Sequence, residues 1–177
     1  MTAGATSTRR VFLVGPMGAG KTTTGRQLAR ALGLEFVDCD RELEARSGVD
    51  IPTIFDFEGE AGFRQRERAL VEELTHRDGI VLATGGGVVL DADNRRDLAG
   101  RGLVIYLATP VEDQLRRTRE DRQRPLLQDG DRHATLARLQ DERDPLYREV
   151  ADIVVDTAGG RRRKIIDRIL ADLAEHD

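Results

Sequence analysis

The octapeptide Gly15-Pro16-Met17-Gly18-Ala19-Gly20-Lys21-Thr22 limits what this chain can fold into more than any other segment. It fits the pattern G-x-x-x-x-G-K-[ST], and both flanks supply the context that pattern requires. Ahead of it, Val11-Phe12-Leu13-Val14 is a short apolar run that reads as a buried parallel strand. Behind it, Leu28, Ala29, Ala31 and Leu32 fall at helical spacing from Lys21 to Leu32, and Gly33 supplies the stop. Glycines let the backbone wrap an anion with its N–H groups turned inward, and the positive end of the following helix adds to the field. Gly18, Ala19, Gly20, Lys21, Thr22 and Thr23 are therefore expected to bind nucleotide phosphates, with Lys21 reaching the β- and γ-phosphates and the Thr22 hydroxyl ligating Mg²⁺. A glycine-rich turn that binds nothing is the plain alternative. Against it stands the choice of lysine. Only Lys21 and Lys164 are lysines among 28 basic residues, and a compact ammonium fits where a forked guanidinium would not.

The rest of the chain alternates strand and helix signals. Leu34 to Val37 reads as a second strand, Arg41 to Ser47 as a helix ended by Gly48, and Thr53 to Phe57 as a short helix running to a break at Gly59. A longer helix follows, with Phe63, Leu70, Val71 and Leu74 on one stripe. Ile80 to Ala83 and Leu103 to Leu107 are the third and fourth strands. Thr109-Pro110-Val111-Glu112 carries the signature of a capping box with Thr109 as N-cap and Pro110 at the first helical position, opening a helix to about Glu120. The polar stretch Asp121 to Asp131, with Pro125 and Gly130, reads as a mobile lid. A helix around Thr135 to Arg143, a strand Ile153 to Val155 and a helix from about Gly160 to Ala174 complete the chain. Such alternation predicts a parallel sheet with helices on both faces and ligands at the carboxyl ends of the strands.

At 177 residues the chain fits one domain, spanning 9–177 with its lid at about 121–131, behind a frayed extension over Met1 to Thr8. A net charge of -4 and an aromatic content of 4% argue against a general nucleic-acid binder, which needs basic surface and stacking platforms. The single cysteine, Cys39, cannot close an internal disulfide, and no N-terminal apolar stretch reaches signal-peptide or membrane length, so cytoplasm is the default location and no membrane partner is expected.

Three further constellations sit where the expected sheet would place a ligand. Asp38 and Asp40 end the second strand, where one carboxylate can hold Mg²⁺ through water and the other can orient or deprotonate a hydroxyl; either could instead cap the next helix. Thr84-Gly85-Gly86-Gly87 closes the third strand, and its glycines permit close backbone approach to a ligand, or form a flexible turn. Arg64 could read a carboxylate by a bidentate fork, although Arg64, Glu67 and Arg68 together also read as an ordinary solvated face. Arg161 to Lys164 reads as the solvated side of the last helix, and His76, His133 and His176 lack metal-ligand spacing.

Taken in order, Gly15 to Thr22, Asp38-Cys39-Asp40, Gly62-Phe63-Arg64, Ala83 to Gly87, Arg124-Pro125-Leu126-Leu127 and Arg143-Asp144-Pro145-Leu146-Tyr147 resemble the motif set of the shikimate kinase family over nearly the whole chain. The resemblance implies a three-layer α/β/α P-loop fold, nucleoside monophosphate kinase-like, with a five-stranded parallel sheet. It implies transfer of the γ-phosphoryl group of ATP to the 3-hydroxyl of shikimate, with Mg²⁺ as cofactor and a monomeric enzyme. By the same similarity Lys21, Asp40 and Arg124 are catalytic, and Asp38 organises the metal together with Thr22. Arg64 and Arg143 hold the carboxylate, Gly85, Gly86 and Gly87 line the acceptor site, Arg117 stacks on adenine and Arg124 arrives at the phosphates with the lid. A gluconate-type kinase would share the loop and sheet without needing this arginine set.

Overall fold

The computed structural model describes residues 7–119, 127 and 130–177. Five strands, β1 (Arg10–Val14), β2 (Glu35–Asp38), β3 (Ile80–Ala83), β4 (Leu103–Ala108) and β5 (Ile153–Asp156), form one sheet in the order β2-β3-β1-β4-β5. Every pairing is parallel, so each connection must cross over a face of the sheet. The crossovers are helical, made by α1 (Lys21–Leu32), α2 (Cys39–Ser47), α3 (Ile51–Leu74), α4 (Ala92–Arg101), α5 (Val111–Thr118) and α6 (Arg132–Val150), and α7 (Arg162–Glu175) follows the last strand.

Successive β1 residues point to opposite faces, which divides the core in two. Phe12 and Val14 pack with Val71, Leu74, Leu98 and Tyr147 beneath α3, α4 and α6, while Val11 and Leu13 pack with Leu28, Ile166 and Ile169 beneath α1 and α7. This is the three-layer arrangement expected, and the central strand is apolar and buried from Val11 to Val14 because both of its faces are covered there.

Several local expectations are corrected. Thr109 does not cap α5; the cap position is Pro110, and the Thr109 hydroxyl pairs instead with the Thr157 hydroxyl at 2.7 Å, tying the ends of β4 and β5 together. The helix expected to stop near Arg143 runs on to Val150 with Pro145 inside it. An interior proline costs a helix about 3 kcal/mol, and the burial of Tyr147 and Val150 beyond it offsets that cost. Helix α4 was not anticipated, although Asp91 marks it by accepting from the N–H groups of Asp93 and Asn94. By contrast, the break expected at Gly59 is present: two helical segments meet there at a kink within α3, and Gly59 (φ 71°, ψ 179°) adopts a conformation open only to glycine.

Candidate active site

The carboxyl ends of β1, β2 and β3 open on a cleft of about 390 Å³ lined by Gly18 to Thr23, Asp38, Asp40, Thr84, Gly86 and Arg117. The loop after β1 reverses through Gly15, Gly18 and Gly20, all at positive φ, and delivers the N-terminus of α1 into this cleft. The first-turn N–H groups of such a helix lack intrahelical partners and suit an anion. Lys21 folds back so that its ammonium donates to the carbonyls of Gly15 (2.6 Å) and Pro16 (2.9 Å), which holds the charge at the loop. Arg117, on α5, donates to the Gly18 carbonyl at 2.9 Å from the opposite side.

Asp38 takes the capping use weighed for it and also meets the phosphate loop. One carboxylate oxygen accepts from the Arg41 N–H and caps α2, and the other accepts from the Thr22 hydroxyl at 2.6 Å. Hydroxyl and carboxylate are hard oxygen donors of the kind Mg²⁺ prefers. Among the described residues no group of three or more His, Cys, Asp and Glu could enclose a metal, so an ion here would complete its shell from phosphate oxygens and water.

Capping by Asp38 starts α2 early enough to put Asp40 in its first turn, facing the same cleft. Across from it lie the glycines after β3, and the space they leave is informative. A Cβ on Gly85 would stand 3.1 Å from Asp40 Oδ1 and 3.0 Å from Glu67 Oε2; one on Gly86 would lie 3.6 Å from the Arg143 guanidinium; one on Gly87 would collide with the guanidinium of Arg64. Three positions without side chains thus allow Asp40, Glu67, Arg143 and Arg64 to converge on one loop.

The solvated-face reading of Arg64, Glu67 and Arg68 is overturned. Glu67 is 3% exposed and accepts from Arg64 at 2.9 Å. Arg68 turns away to Asn94 and Asp97 and locks α3 to α4. Burial pushes the Glu67 carboxyl above the usual carboxylate range; the Arg64 charge pulls it back, and Asp40 raises it again. Glu67 is the residue sequence reasoning passed over, and its signal was present: it lies four positions after Phe63 and three before Leu70, on the apolar stripe of α3. Arg143 is likewise buried, at 4% exposure. Arg124 and most of the expected lid lie outside the described residues, as do residues 1–6 of the expected extension.

A parallel five-stranded sheet carrying a phosphate loop, a carboxylate beside it and a second carboxylate among arginines defines a P-loop kinase for a small acidic acceptor. The model of the family described as shikimate kinase matches residues 17–174. A shikimate kinase from Halorhodospira halophila is 63% identical over 161 residues, covering 91% of either chain. The solved shikimate kinase from Acinetobacter baumannii in complex with shikimate superposes with a TM-score of 0.94 at 50% identity, covering 97% of this chain and 96% of that one. A gluconokinase from Sinorhizobium meliloti reaches a TM-score of only 0.56 at 16% identity, a likeness of fold alone. The chain belongs to the shikimate kinase family, ATP-dependent kinases that act on a small-molecule alcohol.

Proposed function

We propose that the cleft binds MgATP at the loop Gly18 to Thr23 and shikimate between Asp40, Arg64, Arg143 and the glycines 85 to 87, and transfers the γ-phosphoryl group to the 3-hydroxyl of shikimate. The observation that carries this reading is the convergence of Asp40, Arg64 and Arg143 on the side-chain-free loop Gly85-Gly86-Gly87, next to the phosphate loop. A ring acid needs cations for its carboxylate and an acceptor for its reacting hydroxyl, and residue types able to supply both stand against the glycine loop.

Phosphoryl transfer demands alignment and charge neutralisation more than covalent help. Lys21 neutralises charge on the β- and γ-phosphates, helped by the α1 N-terminus. Thr22 and Asp38 would hold Mg²⁺, the second through water, and the ion would supply positive charge that offsets that of the phosphates. Arg64 and Arg143 fix the acid so that its 3-hydroxyl faces Asp40, which accepts the proton as the new O–P bond forms and the bond to the β-phosphate oxygen of ADP breaks. Arg117 stacks on the adenine, and Arg124 adds a cation at the phosphates. Within this reading the chain is one domain, 9–177, acting as a monomer in the cytoplasm; no helix among the described residues is long and apolar enough to cross a membrane.

The test is ADP release by the purified protein with MgATP and, in turn, shikimate, gluconate, a nucleoside monophosphate or no acceptor. Release with shikimate alone is expected. Release with gluconate instead would discard the acceptor assignment, and no release with any acceptor would discard the kinase reading.

A further inference from the structure

Tyr147 plays no part in the mechanism above, yet its hydroxyl touches two of that mechanism's components. The ring is fully buried and tilted against Tyr106 with centroids 4.9 Å apart. Its hydroxyl donates to the carbonyl of Gly86, sixty-one residues earlier in the chain. Arg143 lies one turn ahead on the same face of α6 and lines the same small cavity as Tyr147, with its guanidinium 3.6 Å from where a Gly86 Cβ would stand. Tyr106 is anchored elsewhere: its hydroxyl donates to Asp144 at 2.6 Å, and Arg148 donates to the other oxygen of Asp144 at 2.9 Å while lying over the Tyr106 ring. Helix α6 and the glycine loop are well separated in the chain, and the Tyr147 hydroxyl makes a polar contact that joins them.

We propose that Tyr147 is a positioning residue for acceptor binding: its hydroxyl sets the spacing between the Arg143 guanidinium and the Gly86 backbone, and so the geometry with which the site grips a carboxylate. The inference rests on the assignment of Arg143 to the substrate acid. Removing the hydroxyl while keeping the ring leaves the core filled but frees the glycine loop to drift from Arg143. That should penalise a charged, planar carboxylate more than a neutral group at the same place, because a bidentate contact is sensitive to sub-ångström error. A tyrosine that merely stabilised the core would affect both alike.

The experiment compares wild type, Tyr147→Phe and Tyr106→Phe with shikimate, its carboxamide and ATP as varied substrates. For Tyr147→Phe the KM for shikimate should rise about 10-fold, the worth of one hydrogen bond to a charged-site partner. The preference for shikimate over the carboxamide should fall by a similar factor, and the KM for ATP should hold. Tyr106→Phe removes the neighbouring buried hydroxyl without touching Gly86 or Arg143, and should leave that preference intact. An equal effect on acid and amide, or the same loss from Tyr106→Phe, would overturn the proposal. Should Tyr147→Phe fail to fold, fluorotyrosine labelling decides, since the chain has two tyrosines. The Tyr147 ¹⁹F resonance, assigned with Tyr106→Phe, should shift on adding shikimate and stay still with the carboxamide; no difference between the two overturns the proposal. Arg143→Gln tests the underlying assignment separately: an unchanged KM for shikimate there removes Arg143 from the acid site whatever Tyr147 does.

Discussion

Thr22 donates its hydroxyl to Asp38 at 2.6 Å, so the last residue of the phosphate loop and the last residue of β2 share one hydrogen bond. The pair registers the loop against the neighbouring strand end, and two oxygens face the cleft together. Asp38→Asn keeps an oxygen for the Arg41 cap but removes the charge. The concentration of Mg²⁺ needed for half-maximal rate at saturating ATP should rise about 10-fold or more, with the melting temperature moving by only about 2–4 °C. A titration of rate against Mg²⁺ checks this, and an unchanged requirement would leave Asp38 as a helix cap alone.

Asp40 sits two residues further on, in the first turn of α2. Asp40→Asn preserves size and hydrogen-bonding reach but cannot take a proton. Turnover should fall at least about 100-fold while ATP affinity, measured calorimetrically without acceptor, changes little. A variant that keeps a tenth of wild-type turnover would remove Asp40 from the path of the proton.

Arg64 and Glu67 are coupled, so a single substitution confounds two effects. Arg64→Ala removes the cation proposed to bind the carboxylate and also strands Glu67 in its buried position, a loss of up to about 3–5 kcal/mol when a buried pair is broken. The KM for shikimate should rise about 30-fold or more, and the melting temperature should fall. Adding Glu67→Gln removes the stranded charge: the double variant should regain most of the melting temperature and none of the KM. Recovery of both would make the Arg64 effect one of folding rather than of substrate binding.

Gly87 has ordinary backbone angles (φ −96°, ψ 8°), so alanine is conformationally allowed there. Its methyl group would nonetheless occupy the place of the Arg64 guanidinium, which has to swing aside. Gly87→Ala should therefore raise the KM for shikimate about 10-fold or more and leave that for ATP alone. Steady-state kinetics with each substrate varied would show it, and equal effects on both would mean a wider disturbance of the cleft.

The two tyrosines give a prediction for alkaline pH. Burial, with Asp144 as hydrogen-bond partner, pushes Tyr106 up to about 12, and burial pushes Tyr147 higher still despite the opposing Arg143 charge. Above pH 10 the unfolded chain releases these protons and the folded one keeps them, so stability is lost as pH rises through the unfolded value, by up to about 1.4 kcal/mol per pH unit for each tyrosine. Absorbance at 295 nm should stay flat through pH 10–11 and then rise together with loss of helical circular dichroism. A tyrosinate signal from folded protein near pH 10 would contradict the burial of both rings.

The phosphate loop and its flanking elements were legible because their signals are local. Helix α1 lies where apolar spacing and Gly33 predicted it, and β3 begins and ends as read, since backbone propensity and short-range pattern decide such segments. Thr109 shows where local reading fails. Its capping signature is sound, but the Thr157 hydroxyl, forty-eight residues away, offers the Thr109 side chain a buried partner instead. Pro145 shows the same in reverse, as a local breaker overruled by the burial of Tyr147 and Val150.

Sequence by itself determined the phosphate site, the alternating architecture, and the residue types able to grip and phosphorylate an acid, because these rest on spacings of a few residues. Tertiary structure alone decided that Arg64 lies beneath Gly87 and that Arg143 and Tyr147 reach across to Gly86. Those contacts join positions 23 to 61 residues apart, and no local pattern encodes which buried charge will find which partner once the sheet brings the strand ends together.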